Sequence, residues 1–319
     1  MHRRHFLGAS LAAGFAALGL RGCGASSPLR FGIHPWIGYE SLYLAEEFGW
    51  LPALVELVKG SSALDSMELL KSGQLDGAAL TLDEAIRVHV EGPELLVVGV
   101  TDVSVGADVL VAKSEIESLD QLRGKRIAVE LAGVSGTLLL NILDQASIER
   151  DEVTIVDAPA DTHVGLWKRG EVDAIACYEP TASILLGLGG ERLFDSSQLP
   201  ETIFDVLVVN RKFAERVPEA VRALLEAHFS GLRHLVRNQY DSIYRVATRQ
   251  GISPREVRLA QASVMFPDLA SNRRYLAKNG RVEQVARSLS RMLAREGLVP
   301  RTLKVERFSD SQFLPRSAA

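Results

Sequence analysis

Residues 30–48, "RFGIHPWIGYESLYLAEEF", begin as a short apolar strand, break at a proline and a glycine, and resume as a helix whose apolar face carries Leu42, Leu44, Ala45 and Phe48. Residues 126–144, "RIAVELAGVSGTLLLNILD", follow the same plan at an offset of 96, with Leu138, Leu140, Ile142 and Leu143 on the helix face. A second pair lies close by. "LLKSGQLDGAALTLDEA" at 69–85 matches "LWKRGEVDAIACYEPTA" at 166–182 at an offset of 97, and Lys71, Gly73 and Asp76 align with Lys168, Gly170 and Asp173. Two matches whose offsets differ by one residue point to a doubled structure, two lobes built on one plan.

The strands of these units are short, apolar on both faces and alternate with helical patterns, which predicts parallel strands in an α/β sheet. Each lobe is therefore expected to have three layers around a central sheet. In open α/β sheets ligands bind outside the carboxyl ends of the strands, where each quoted break falls, so the breaks of both lobes are expected to line one cleft. "LLVVGVTDVSVGADVLVAKSEI" from Leu95 reads as strand, polar passage and strand, with a first crossover at 102–107. "IFDVLVVNRKF" from Ile203 supplies the return crossover. Beyond Pro218 the pattern is helical, over 219–249, 253–261 and 281–296, and these helices are expected to cover the first lobe. The division predicted is 24–104 plus 206–319 for one lobe and 105–205 for the other, joined by two crossover strands.

A length of 319 residues suits two lobes, each with a core of its own. With 24 % charged residues and a formal net charge of -4, the chain lacks the basic excess of nucleic-acid-binding proteins. Its first 23 residues, "MHRRHFLGASLAAGFAALGLRGC", place two arginines before a short apolar run closed by small residues, the pattern of an export signal. That run is shorter than the roughly 20 apolar residues of a membrane-spanning helix. Arg3, Arg4, Phe6 and Leu7 resemble the twin-arginine export pattern, and Leu20, Gly22 and Cys23 resemble a lipobox, although Arg21 stands where a small residue is usual. A lipoprotein anchored in the periplasm through Cys23 is expected, with plain cleavage as the alternative. The remaining cysteine, Cys177, then has no partner and is expected to be a buried, inert thiol.

"HPWIGYESLYLAEEFGWL", "LLKSGQLDGAALTLDEA", "SLDQLRGKRIAVE" followed by "SGTLLLNIL", and "VDAIACYEPTAS" together resemble the periplasmic substrate-binding proteins of ABC transporters of the nitrate, sulfonate, taurine and thiamine-precursor (NMT1/THI5-like) type. The resemblance runs from about Leu29 to Leu298. It implies the type II periplasmic binding protein fold, a small-molecule ligand held between the lobes, and delivery to an ABC permease by a monomer.

Within the expected cleft, helix N-termini at the breaks present free N–H groups to polar or anionic ligand atoms. Ser41 stands at one such break, where capping is its ordinary use. Ser135, Gly136 and Thr137 stand at another, where glycine lets a ligand approach the backbone. Trp36, Tyr39 and Tyr178 lie at breaks, where their rings can hold a flat or alkyl ligand and their polar tips orient it. Acids recur at the same places: Glu40, Asp83, Glu84, Asp108, Glu130, Glu179 and Asp205. No Lys or Arg falls in the breaks, which favours a zwitterion, amine or nitrogen heterocycle over a purely anionic ligand, although acids near helix N-termini also serve the helix dipole. The ligand-binding set expected is Trp36, Tyr39, Glu40, Ser61, Asp83, Ser135, Gly136, Thr137, Tyr178 and Glu179.

His34 and His163 lack metal-ligand spacing and read as strand-end or surface residues. No nucleotide-binding glycine motif is present, so neither a metal nor a cofactor is expected. An enzyme on the same fold is the main alternative. The pyrimidine synthases of this resemblance need a cysteine-rich motif that two isolated cysteines cannot supply, and the chorismate-dehydratase relatives are cytoplasmic, against the export leader. A sensory or scavenging lipoprotein that presents its ligand to a receptor is the other alternative.

Overall fold

The computed structural model describes residues 28–179 and 181–317, so the expected leader and the expected lipidation at Cys23 lie outside the described residues. From β1 (Leu29–Ile33) a single 3-10 turn leads into α1 (Glu40–Glu47), followed by β2 (Val55–Lys59), α2 (Ala63–Lys71), β3 (Gly77–Thr81), α3 (Leu82–Glu91) and the long β4 (Leu95–Ser104). The next segment comprises β5 (Asp108–Lys113), β6 (Arg126–Val129), α4 (Val134–Gln145), β7 (Thr154–Asp157), α5 (His163–Lys168), β8 (Ala174–Tyr178), α6 (Thr181–Gly187) and β9 (Gly190–Asp195). The chain returns through β10 (Phe204–Asn210) and continues with α7 (Arg211–Arg216), α8 (Pro218–Arg237), α9 (Gln239–Gln250), α10 (Pro254–Ala262), β11 (Val264–Met265), α11 (Leu269–Tyr275) and α12 (Arg281–Arg295).

These strands form two sheets, one of six strands in the order β11-β4-β10-β3-β1-β2 and one of five in the order β7-β6-β8-β5-β9. The internal repeat is present down to its side chains. In the first lobe Arg30 Nε donates to Asp76 Oδ2 at 2.8 Å while its Nη2 reaches the Gly73 carbonyl at 3.1 Å. In the second, Arg126 Nε donates to Asp173 Oδ2 at 3.0 Å and its Nη2 to the Gly170 carbonyl at 3.1 Å. The arginine that opens each first strand thus clamps the turn that opens each third strand, which is why Arg, Gly and Asp hold their positions in both copies.

Parallel pairing holds between β1 and β2, β1 and β3, β6 and β7, and β6 and β8. The sheets are mixed, however, because β10 runs antiparallel to β3 and β4, and β5 antiparallel to β8 and β9. The reason is directional: β5 and β10 each enter from the opposite lobe at the cleft, toward which the parallel strands run. Where the two crossovers pass, Ser196 ties them together. Its buried hydroxyl lies 2.6 Å from Ser104 Oγ and accepts the Gly106 N–H at 2.7 Å.

The helix expected over 219–249 is two helices, because the backbone leaves helical geometry at Asn238 (φ -117°, ψ 54°). Ser242 Oγ donates to the His234 carbonyl at 3.3 Å across the break. The stripe Val221, Leu224, Leu225, Phe229, Leu232 and Leu235 buries α8 against the first lobe. There Ser41 Oγ meets His228 Nδ1 at 2.7 Å, and burial lowers the His228 pKa to about 4, keeping the imidazole neutral. Among the described residues no helix is long and apolar enough to cross a membrane.

Candidate functional site

The carboxyl ends of β1, β3, β6 and β8 meet between the lobes, beside the crossovers that leave β4 and enter β10, and line a chamber of about 80 Å³. Trp36, Tyr39, Ser61, Thr81 and Asp205 line it from the first lobe, and Asp108, Glu130, Gly133, Val134 and Tyr178 from the second. Trp36 and Tyr178 meet edge to face across the lobes, with ring centroids 6.0 Å apart. Gly38 makes this end of the chamber possible: a Cβ there would stand 1.5 Å from Asp102 Oδ2, the atom to which the Trp36 indole N–H donates at 3.3 Å. The break between β1 and α1 therefore fixes the Trp36 ring by letting a carboxyl group pass beside the backbone.

Glu84, Asp108, Glu130 and Asp205 all line the chamber, and among the described residues no Lys or Arg does. Asp205 and Asp102 are cross-strand neighbours on β10 and β4, both buried. The Tyr39 hydroxyl donates to Asp205 Oδ1 at 2.5 Å. Burial, which for Glu84 outweighs the opposing charge of Arg87, pushes the pKa values of Glu84 and Asp102 up to about 7 and that of Asp108 up to about 6. Burial and then the charge of Asp102 raise Asp205 well above the usual carboxylate range. Burial also raises Glu130. The chamber thus holds protons that the same carboxyl groups would release in water.

A larger cavity of about 520 Å³ adjoins the chamber and shares Pro35 and Trp36 with it. Its walls mix Ile37, Tyr43, Ile252 and Leu259 with Lys59, Glu179, Arg249 and Gln250. Glu40 belongs here: its buried carboxylate pairs with Arg249 and accepts from Gln250 Nε2 at 2.6 Å, so α9 provides its counter-charge. Glu179 lines the same cavity and accepts the Ser183 N–H at 3.1 Å.

The remaining sequence candidates divide in two. Asp83 and Thr137 do not line the chamber but join the lobes, Thr137 Oγ1 donating to Asp83 Oδ2 at 2.7 Å while Arg87 Nε stands 3.7 Å from the same oxygen. Ser135 and Gly136 are buried in the first turn of α4, and a Cβ at Gly136 would lie 2.5 Å from the Leu131 carbonyl oxygen, so this glycine serves packing of the turn. His34, read as an ordinary strand-end residue, lines the chamber with its Nδ1 buried and unpartnered. Sequence reasoning passes over Asp102 and Ser196 altogether. The signal for Asp102 is a charged residue inside an otherwise apolar strand, "LLVVGVTDVS", because a carboxyl group is seldom buried there without a purpose. Nothing in the residues around Ser196 distinguishes it from a surface turn.

Among the described residues no group of three or more His, Cys, Asp or Glu is arranged to hold a metal ion. Cys177 is buried, and burial pushes its thiol far above the ordinary range. The pair Ser41–His228 has the spacing of a nucleophile and its base, but both residues are buried between α1 and α8 and line neither cavity.

The taurine-binding periplasmic protein of Escherichia coli (strain K12) is 27 % identical over 210 residues, 61 % of this chain and 62 % of that protein. The putative aliphatic sulfonates-binding protein of the same organism is 28 % identical over 218 residues, 67 % of this chain and 65 % of that protein. The match thus spans less than two thirds of either relative's length. Among solved structures, the periplasmic aliphatic sulphonate binding protein SsuA from Escherichia coli superposes with a TM-score of 0.75 at 19 % identity, covering 88 % of this chain and 96 % of that one, a likeness that carries the periplasmic binding protein fold. The family model described as NMT1/THI5 like matches residues 39–241, from the Tyr39 of the first break through the return crossover and into α9. That stretch is well over half of the chain, and the protein therefore belongs to the NMT1/THI5-like family.

Proposed function

We propose that this protein is the extracytoplasmic solute-binding component of an ABC importer, which takes a small polar, zwitterionic or nitrogen-containing molecule between its lobes and delivers it to a permease. The observation that carries this reading is the chamber between the lobes, to which both contribute aromatic rings and polar groups. The names of the two E. coli relatives, binders of taurine and of aliphatic sulfonates, support solute capture as the role. On this reading the bodies 24–104 with 206–319 and 105–205 close about the two crossovers, the protein works as a monomer in the periplasm, and Cys23 anchors it to the membrane.

Binding rather than bond making is favoured by the chamber's residues: among those described, none of its lining groups is a thiol, and its two serines are engaged in capping α2, Ser61 Oγ donating to Asp65 Oδ2 at 2.6 Å and Ser62 Oγ accepting the Asp65 N–H at 3.3 Å. A thermal-shift screen of the purified protein against taurine, alkanesulfonates, amino acids, polyamines and pyrimidines tests the proposal. A ligand present at 100 times its dissociation constant stabilises by ~2.7 kcal/mol. Absence of any shift across the panel, with the protein folded, refutes it.

A further inference from the structure

Resting on the solute-binding reading, we propose that the ligand is an amphiphilic organic cation, its ammonium or amidinium head held in the acidic chamber and its apolar tail lying past Trp36 in the outer cavity.

Glu84, Asp108, Glu130 and Asp205 face the chamber with no cationic side chain among its lining residues, while the buried cation Arg87 stands beside Asp83 outside it. Among the described residues one polar atom on the chamber wall is buried without a partner, His34 Nδ1, while Asp102, whose Oδ2 accepts from the Trp36 indole, stands behind the wall. Polar atoms buried without partners are costly and rare in folded proteins, and those at a cavity are satisfied by what fills it. Carboxyl groups gathered without a lining cation call for a ligand that donates hydrogen bonds and whose positive charge lets them ionise. A metal ion does not fit, because among the described residues no three of these groups are arranged to share one. A sulfonate placed here would find no cationic side chain among the described lining residues and would be repelled by each acid that ionises.

About 80 Å³ admits a headgroup of a few non-hydrogen atoms, whereas the adjoining cavity offers about 520 Å³. Trp36 belongs to both spaces, so its indole lies at the junction, where an aromatic face can attract the cation on one side and cover apolar atoms on the other. Ile37, Tyr43, Ile252 and Leu259 supply the apolar lining beyond it, and Leu259 is 53 % exposed, as a side chain awaiting cover would be. Of the acids of the outer cavity, Glu40 is neutralised by Arg249, Glu179 accepts the Ser183 N–H, and Glu256 accepts the Ser253 N–H at the start of α10.

Calorimetric titration of the purified protein with three probes decides the matter: 2-phenylethylamine, its charge-reversed counterpart 2-phenylethanesulfonate, and methylamine. The amine with the aromatic tail is expected to bind at least tenfold more tightly than either of the others. Asp205→Asn and Glu84→Gln are each expected to weaken it at least tenfold, and either variant serves should the other fail to fold. Leu259→Ser, at an exposed position, is expected to weaken 2-phenylethylamine several-fold and to leave methylamine unchanged. Binding of 2-phenylethanesulfonate or taurine without the amine overturns the cation while solute binding stands. Equal affinity for methylamine and 2-phenylethylamine overturns the tail. If none of the probes and no member of the solute panel binds, both proposals fall.

Discussion

Replacing Glu84 with Gln should make the protein more stable at pH 8 and blunt its response to acid. Glu84 is buried beside the chamber, its Oε2 accepts the Thr81 N–H at 2.9 Å, and no cation of the chamber lining offsets its charge. Glutamine keeps an acceptor for Thr81 and has nothing to ionise. In the folded protein burial, reinforced by the Asp83 charge, holds this carboxyl at about 7, against an ordinary value of 4.5. A carboxyl whose folded pKa lies above its unfolded one keeps its proton in the folded state at pH values where the unfolded chain has lost it. Stability from this group is therefore gained as the pH falls from about 8 through about 7 and 6, and lost as it rises. Between about pH 8 and pH 5.5 the gain from Glu84 alone is ~2 kcal/mol, since a tenfold difference in proton affinity between the folded and unfolded chain is worth ~1.4 kcal/mol. For a protein of this size that is a rise of roughly 3 °C in Tm. Thermal unfolding of wild type and Glu84→Gln at both pH values reads it directly: wild type should gain more than the variant on acidification, by about this amount. Equal pH dependence in the two proteins, or a variant that is less stable at pH 8, would refute the burial of an uncompensated charge at this position.

Three further outcomes are expected. Thr137→Val removes the bond from Thr137 Oγ1 to Asp83, a contact of 2.7 Å between the lobes, and should cost about 1.5 to 3 kcal/mol of closure, seen as a larger radius of gyration in small-angle scattering; an unchanged radius would show that this bond does not hold the lobes. Gly38→Ala drives a methyl group into Asp102 Oδ2, 1.5 Å away, so it should disturb the Trp36 side chain, lowering Tm and changing tryptophan fluorescence, and unaltered emission would contradict the geometry of the break. Cys23→Ser should move the protein from the membrane fraction to the soluble one, and persistence in the membrane fraction would exclude the anchor.

Arg30, Gly73 and Asp76, with their counterparts Arg126, Gly170 and Asp173, show how far local sequence reaches. Strand, break and helix follow from periodicity and turn residues, and each repeat closes its own clamp, Arg30 on Asp76 and Arg126 on Asp173. The two lobes, their strand-to-helix breaks and the cleft location were legible for that reason. The acids were legible as a set placed at strand ends, and Trp36, Tyr39 and Tyr178 as aromatic residues meeting there. Which acids face the chamber was a different kind of question. Tyr39 and Glu40 are adjacent, yet in helical geometry neighbours point about 100° apart, so Tyr39 turns into the chamber and Glu40 out of it.

Glu40 also required a partner 209 residues along the chain, Arg249, which reaches it only because the helical segment breaks at Asn238 and α9 turns toward the cleft mouth. Asp83 and Thr137 illustrate the same limit, each sitting at a break as expected but bonded to the other across the lobes. By itself the sequence determined the doubled plan, the strand-to-helix breaks and the lack of cations in them, because these depend on residues a few positions apart. Only the tertiary structure decided which carboxyl groups share a chamber, which become latches and which find counter-ions. Those outcomes depend on the direction of side chains brought together from both lobes and the C-terminal helices, and on burial that no local pattern records.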